Sequence, residues 1–379
     1  MGTPDPGGAI AQIPRPVVAI AHDYLTQRGG AERVVLAMSR AFPEAPIYTT
    51  LYDPDLTFAE FRGRDVRVSP LNAWGALRRN HRLALPFLPL AASRMRAPAD
   101  VLLCSSSGWS HGFRTDGKKL VYCYTPARWL YQREHYLGED SATSVRAALR
   151  ALTPGLRWWD KRQAAGVERY LAISRVVRER IREAYGVDSD ILPAPIPQEI
   201  ADIAPVALGS DHGPLPEKFL LCVSRLLPYK NVDAVIEALR LRPRSSLVVV
   251  GRGPEEQRLR RQAPPNVCIL SGLSDGNMRW LYENCTGLVA ASHEDFGLTP
   301  LEAAAAGKPS AVLRAGGYLD TMTDQTAVFF DHPTPDAIAK AIDRLARGAW
   351  EPSVIRRHTE QYSEQTFIRR LQSIVADLT

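Results

Sequence analysis

His293-Glu294-Asp295-Phe296-Gly297-Leu298-Thr299-Pro300-Leu301-Glu302-Ala303 is the stretch on which the fold of this 379-residue chain turns. It follows a short apolar run, 287–291, and leads into small and apolar residues that stop at Gly307. The reading is strand, turn, helix: Thr299 as N-cap, Pro300 at the first helical position, and a helix over 299–306 closed by Gly307. A helix that begins where a strand ends presents free backbone N–H groups and positive dipole charge, which suits a phosphate. Thr299-x-x-Glu302 also fits a capping box, and Glu294 fits a solvated loop acid, so neither glutamate alone defines a site.

Outward from this stretch, short apolar runs alternate with segments of helical period, the pattern of parallel sheets with crossover helices. Strands are expected at 17–21, 101–104, 120–124 and 170–173 in the first half, and at 219–223, 247–250, 267–270 and 287–291 in the second. Helices are expected at 31–41, 175–185 and 232–240. Gly and Pro cluster over 201–216, which reads as a linker between a first α/β lobe (13–200) and a second (217–362). Residues 1–12 read as a disordered tail. A last helix over 363–379 packs on one lobe or the other, the first included. Two doubly wound lobes place a ligand in the cleft between them, at the carboxyl ends of strands.

Val223-Ser224-Arg225-Leu226-Leu227-Pro228-Tyr229-Lys230-Asn231 also follows a strand. There Arg225 and Lys230 can bracket a diphosphate with charge-assisted hydrogen bonds, or simply face solvent. Asp23-Tyr24-Leu25-Thr26-Gln27-Arg28-Gly29-Gly30-Ala31-Glu32 sets paired glycines between the first strand and its helix, where backbone can approach a phosphate. Gly251-Arg252-Gly253 lacks a third glycine and reads as a turn. Asp53-Pro54-Asp55 and Asp188-Ser189-Asp190 mimic acidic metal pairs, but nothing nearby completes a cage.

Composition narrows the class. Forty-seven basic and 41 acidic residues leave a formal charge of +6, too mild and too dispersed for a nucleic-acid binder. The five cysteines are widely spaced without a C-x-x-C pair, and four of them, beside apolar runs, read as small buried hydrophobes in a reducing compartment. The start lacks signal-peptide character, and the apolar stretch 83–92 is interrupted by Pro86 and Pro89 and is too short to span a bilayer. The expected location is the cytoplasm. Arg78, Arg79, Arg82, Arg94 and Arg96 flank that stretch, so peripheral contact with the inner membrane face stands beside the reading of a core helix with solvated ends.

Residues 293–308 resemble the signature of the retaining glycosyltransferases of family 4, in which two glutamates are separated by seven residues. The resemblance spans 17–378 and implies the GT-B architecture of two Rossmann-like lobes facing a cleft. By it, Glu294 contacts the donor sugar and Glu302 the ribose, while Phe296, Gly297, Leu298 and Thr299 line the donor site, the last two at the diphosphate. Arg225 and Lys230 become the diphosphate clamp, and Gly30 closes over the phosphates from the first lobe. The segments 105–112 and 122–129 resemble the acceptor-side loops of a mannosyl- and rhamnosyltransferase-like branch. That branch commonly has a histidine where Tyr124 stands, so His111 is the alternative for its role. Arg128 meets an acidic or phosphorylated acceptor, or a neighbouring carboxylate.

The implied function is retaining transfer of a hexose, mannose favoured, from a nucleotide diphosphate sugar to a hydroxyl of a saccharide, lipid-linked saccharide or aglycone. A GDP-sugar is favoured, with a UDP-sugar as the other option, and neither a cofactor nor a metal is expected. An epimerase of the same fold and a non-catalytic sugar-nucleotide-binding protein are the competing readings.

Overall fold

The computed structural model describes residues 16–79, 84, 87–132, 143–196, 203–206 and 215–379. The tail 1–12 and most of the linker 201–216 lie outside the described residues. So do 80–83, 85 and 86 of the basic and apolar stretch.

Two all-parallel sheets organise the chain. The first has the order β3-β2-β1-β4-β5-β6-β7, from β1 (Val18–His22), β2 (Ile47–Thr49), β3 (Val66–Val68), β4 (Val101–Ser106), β5 (Lys118–Cys123), β6 (Arg169–Ala172) and β7 (Asp190–Ile191). The second has the order β10-β9-β8-β11-β12-β13, from β8 (Leu220–Val223), β9 (Leu247–Val250), β10 (Val267–Leu270), β11 (Gly287–Ala290), β12 (Ser310–Leu313) and β13 (Ala327–Phe330). β1, β4, β9, β11 and β12 are buried along their whole length, as expected of parallel strands covered on both faces.

The strand order fixes where chemistry can sit. Each sheet reverses direction beside its first strand, between β1 and β4 in one lobe and between β8 and β11 in the other. Such switch points open a crevice at the strands' carboxyl ends. The loops after β1 and β4 carry Asp23 to Gly30 and Ser107 to His111, and those after β8 and β11 carry Arg225 to Lys230 and Ser292 to Gly297. The motifs assigned to the donor and acceptor sides in the sequence therefore emerge at a switch point or on the strand beside one.

Local signals explain the helices. Arg175–Tyr185 is capped by Ser174, whose side chain accepts from the Val177 N–H, and is closed by Gly186 at φ 73°. Glu364–Ala376 is capped by Ser363 and lies on the first lobe. There Arg40 grips Glu364, Gln372 donates to the Ala41 carbonyl at 2.8 Å, and the Phe367 ring meets Tyr122 edge-on. The chain thus crosses between lobes twice, and the Ile196 N–H donates to the Tyr362 carbonyl at 2.8 Å where the crossings meet.

Candidate active site

The loop after β11 is shaped from behind by glycines. Gly297 has φ 95°, and a Cβ there would come within 2.5 Å of the Tyr318 ring. Gly317 packs against the backbone of Asp295 and Phe296, and its N–H donates to the Glu294 carbonyl at 2.8 Å. The loop after β8 joins it: Asn231, at φ 53°, donates its side-chain amide to the Ala291 carbonyl at 2.9 Å. This tie brings Lys230 to Glu294, with Nζ 2.5 Å from Oε1. Ser292 Oγ donates to the same oxygen at 2.6 Å. Lys230 is buried and Glu294 half-buried, so little solvent weakens this pair.

The helix begins one residue earlier than expected, as Leu298–Ala305 with Gly297 as its cap. Thr299 is therefore not the N-cap, and Pro300 stands at the third helical position. Gly297 in the left-handed region already turns the chain, so no side chain is needed to start the helix. The capping box is not formed. Glu302 instead accepts from the Tyr282 hydroxyl at 2.5 Å. Burial pushes its carboxyl above the usual value, against the downward pull of Tyr282 and Arg33. Glu302 lines a cavity of about 740 Å³ between the lobes, with Tyr282, Asp275 and Met278 on one side and Arg33 and Leu36 on the other.

Arg225 is exposed at the rim, donating to the Tyr229 hydroxyl at 3.2 Å. Gly30 opens the helix Gly30–Ala41, and a Cβ on it would lie 3.0 Å from Leu298, so the two lobes nearly touch where the motifs face each other.

One acceptor-side expectation is corrected, and for another the carboxylate alternative is the one realised. His111 is 2% exposed, with Nε2 3.0 Å from the fully buried Asp160 and Nδ1 3.4 Å from Ser106 Oγ. It packs against Trp159 and Tyr185 and offers no ring nitrogen to the cleft, because the sequence placed a histidine on a turn that folds inward. Arg128 meets a carboxylate: Asp295 of the second lobe, which Arg180 also grips. Tyr124 keeps its place at the end of β5, but its hydroxyl is committed, donating to the Ala31 carbonyl at 3.1 Å and bonded to Ser105 Oγ at 2.9 Å.

Other site residues escaped the sequence reading. Asp23 is 1% exposed and accepts from the Ser107, Trp109 and Ser110 N–H groups at 2.6 to 2.8 Å, bracing the loop after β4. His22 and Glu32, both buried, face each other at 3.7 Å beneath the Gly29-Gly30 turn. The four carboxylates of the Asp53 and Asp188 segments each lie against an arginine, namely Arg78, Arg62, Arg178 and Arg169. Among the described residues no group of three or more His, Cys, Asp or Glu could hold a metal ion.

Residues 211–365 match the family described as Glycosyl transferases group 1, and residues 28–197 match Glycosyltransferase Family 4. Human alpha-1,3/1,6-mannosyltransferase ALG2 is 28% identical, with 97% of each chain covered. The GDP-mannose-dependent alpha-(1-6)-phosphatidylinositol monomannoside mannosyltransferase of Mycolicibacterium smegmatis is 28% identical over 46% of this chain and 51% of its own. Among solved structures, Anabaena Alr3699/HepE in complex with UDP-glucose superposes with a TM-score of 0.67 at 15% identity, covering 96% of this chain and all of the other. WaaG, a glycosyltransferase involved in lipopolysaccharide biosynthesis, gives 0.63 at 18% identity, covering 94% and 99%. The shared architecture is GT-B.

Proposed function

Because this chain belongs to glycosyltransferase family 4, in its mannosyltransferase-like branch, we propose that it moves mannose with retention from GDP-mannose to a hydroxyl of a saccharide or lipid-linked saccharide. The observation that carries this reading is the Lys230–Glu294 pair at the second lobe's switch point, just before a helix N-terminus with Glu302 one turn inside that helix. GDP is preferred over UDP because the mycobacterial relative is GDP-mannose-dependent.

The anomeric carbon's bond to the diphosphate oxygen breaks while a bond to the acceptor oxygen forms on the same face. The acceptor proton passes to a diphosphate oxygen, so no protein nucleophile and no metal is required. Lys230, Arg225 and the free N–H groups at Leu298 and Thr299 hold the charge that builds on the leaving group. Glu294 orients the sugar, and Glu302 takes the ribose hydroxyls. Holding both reactants in one closed cleft supplies the orientation.

The lipid-facing side belongs to the first lobe. Leu90 and Arg94 are exposed on the helix Leu88–Arg94 and Phe87 at its cap, while Trp74 and Trp158 are exposed too, the latter with the Arg162 guanidinium over its ring. Aromatic and basic side chains of this kind suit peripheral contact with an anionic membrane surface, on its cytoplasmic face. Among the described residues no helix is long and apolar enough to cross a membrane.

Thermal unfolding with GDP, UDP, dTDP and ADP at equal concentration tests the donor reading. A ligand at about a hundred times its Kd adds about 2.7 kcal/mol. GDP is expected to raise the Tm selectively, and less so in Arg225→Ala, whose turnover should fall about 100- to 1000-fold. No shift with any of the four, or wild-type turnover in Arg225→Ala, would count against it.

A further inference from the structure

Two neighbouring carboxylates in the loop after β11 are divided between the lobes. Glu294 is held by Lys230 of its own lobe. Asp295, 8% exposed, is held from the opposite lobe by the guanidinium groups of Arg128, which follows β5, and Arg180, on the helix Arg175–Tyr185. The backbone of Asp295 is caught as well, since Ser174 Oγ donates to its carbonyl at 2.5 Å. One residue on, the Arg175 N–H donates to Asp320 at 2.7 Å and its guanidinium to the Leu319 carbonyl at 2.9 Å. Asp320 lies on the short turn 318–321, directly after Gly317, which supports Glu294 from behind. The start of one first-lobe helix thus grips the loop carrying Glu294 and the segment that backs it.

We propose that Asp295 is a positioning residue for sugar transfer: Arg128 and Arg180 fix the Glu294 loop only when the lobes are closed, so closure and alignment of the donor sugar are one event. Three features support it. Asp295 touches no group assigned to the donor, and both side-chain partners lie in the lobe that holds the acceptor. A carboxylate between two guanidinium groups carries charge-assisted hydrogen bonds that exist only across a closed cleft. And the residue joined to it by one peptide bond is Glu294, so a displacement of Asp295 is a displacement of the sugar's partner. The inference rests on the glycosyltransferase reading for its catalytic half, while the closure itself stands on geometry alone.

The test compares the full chain with Asp295→Asn, which keeps the shape and removes the charge. Three quantities are measured: GDP and UDP affinity by calorimetry, the radius of gyration by small-angle scattering, and kcat with GDP-mannose. The charged groups assigned to the diphosphate, Arg225 and Lys230, and the N–H groups of Leu298 and Thr299 lie on the second lobe, with only Gly30 on the first, so affinity should stay within about threefold. The radius should increase, and kcat should fall roughly 100-fold, as expected when a reacting group is displaced by about an ångström. Asp295→Glu should recover part of the loss. Unchanged kcat and radius would overturn the proposal, and so would affinity falling in step with kcat, since that marks damage within the second lobe. If Asp295→Asn does not fold, Arg180→Gln carries the same expectations and the same reversals. A wild-type chain that binds neither GDP nor UDP defeats the donor reading, while the scattering comparison still decides the closure.

Discussion

Tyr282 donates to one oxygen of Glu302 and leaves the other free to accept from ribose hydroxyls. Hydrogen bonds to a charged group contribute about 1.5–3 kcal/mol. Tyr282→Phe should therefore weaken GDP binding roughly tenfold by calorimetry, yet leave 2′,3′-dideoxy-GDP almost unaffected. Equal losses for both ligands would mean that Tyr282 merely supports the fold. At this scale the sequence was informative about which residues matter and misleading about what they touch. Thr299-x-x-Glu302 has the spacing of a capping box, and only a tyrosine 20 residues upstream diverts the carboxylate. Asp295 sits in the motif without a visible role because its partners lie 115 and 167 residues away. His111 looked like a candidate because sequence gives no sign of burial for a lone histidine.

Element boundaries followed local chemistry closely. The helix Arg175–Tyr185 starts at a serine cap and ends at a left-handed glycine, both readable in one dimension. The motif helix departed by one residue because a glycine's φ is not written in the sequence. Gly297→Ala should destabilise the chain by about 1–3 kcal/mol or more through backbone strain, besides its clash with Tyr318. Denaturant unfolding would reveal it, and wild-type stability would show that the loop relaxes freely. At the end of β1, His22 carries a pH signature. Burial alone would lower its pKa, but Glu32 and Asp23 outweigh that and raise it above 6.5. The folded state then binds the proton more tightly than the unfolded one. This contribution is fully present below pH 6.5 and lost as pH rises through the folded value. His22→Gln should flatten the stability profile above pH 6.5, and a profile that keeps its slope would contradict the assignment.

For the whole molecule, two switch-point lobes were legible because alternating apolar runs and turn residues recur throughout. Which lobe receives the last helix was not, because Phe367, Leu371 and Val375 would suit either surface. Burying three such side chains contributes about 5–9 kcal/mol, comparable to the net stability of a domain. A chain ended after Tyr362 should accordingly lose the first lobe's unfolding transition in calorimetry and keep the second's. An unchanged pair of transitions would refute that dependence. The order of synthesis adds a constraint of another kind. The ribosome makes β1 to β7 before the second lobe, yet the helix Glu364–Ala376 that packs on the first lobe emerges only after β8 to β13. At about 5–20 residues per second this interval is on the order of ten seconds or more. Over that time the nascent first lobe carries an uncovered apolar face, and a chaperone has a defined window and surface to occupy.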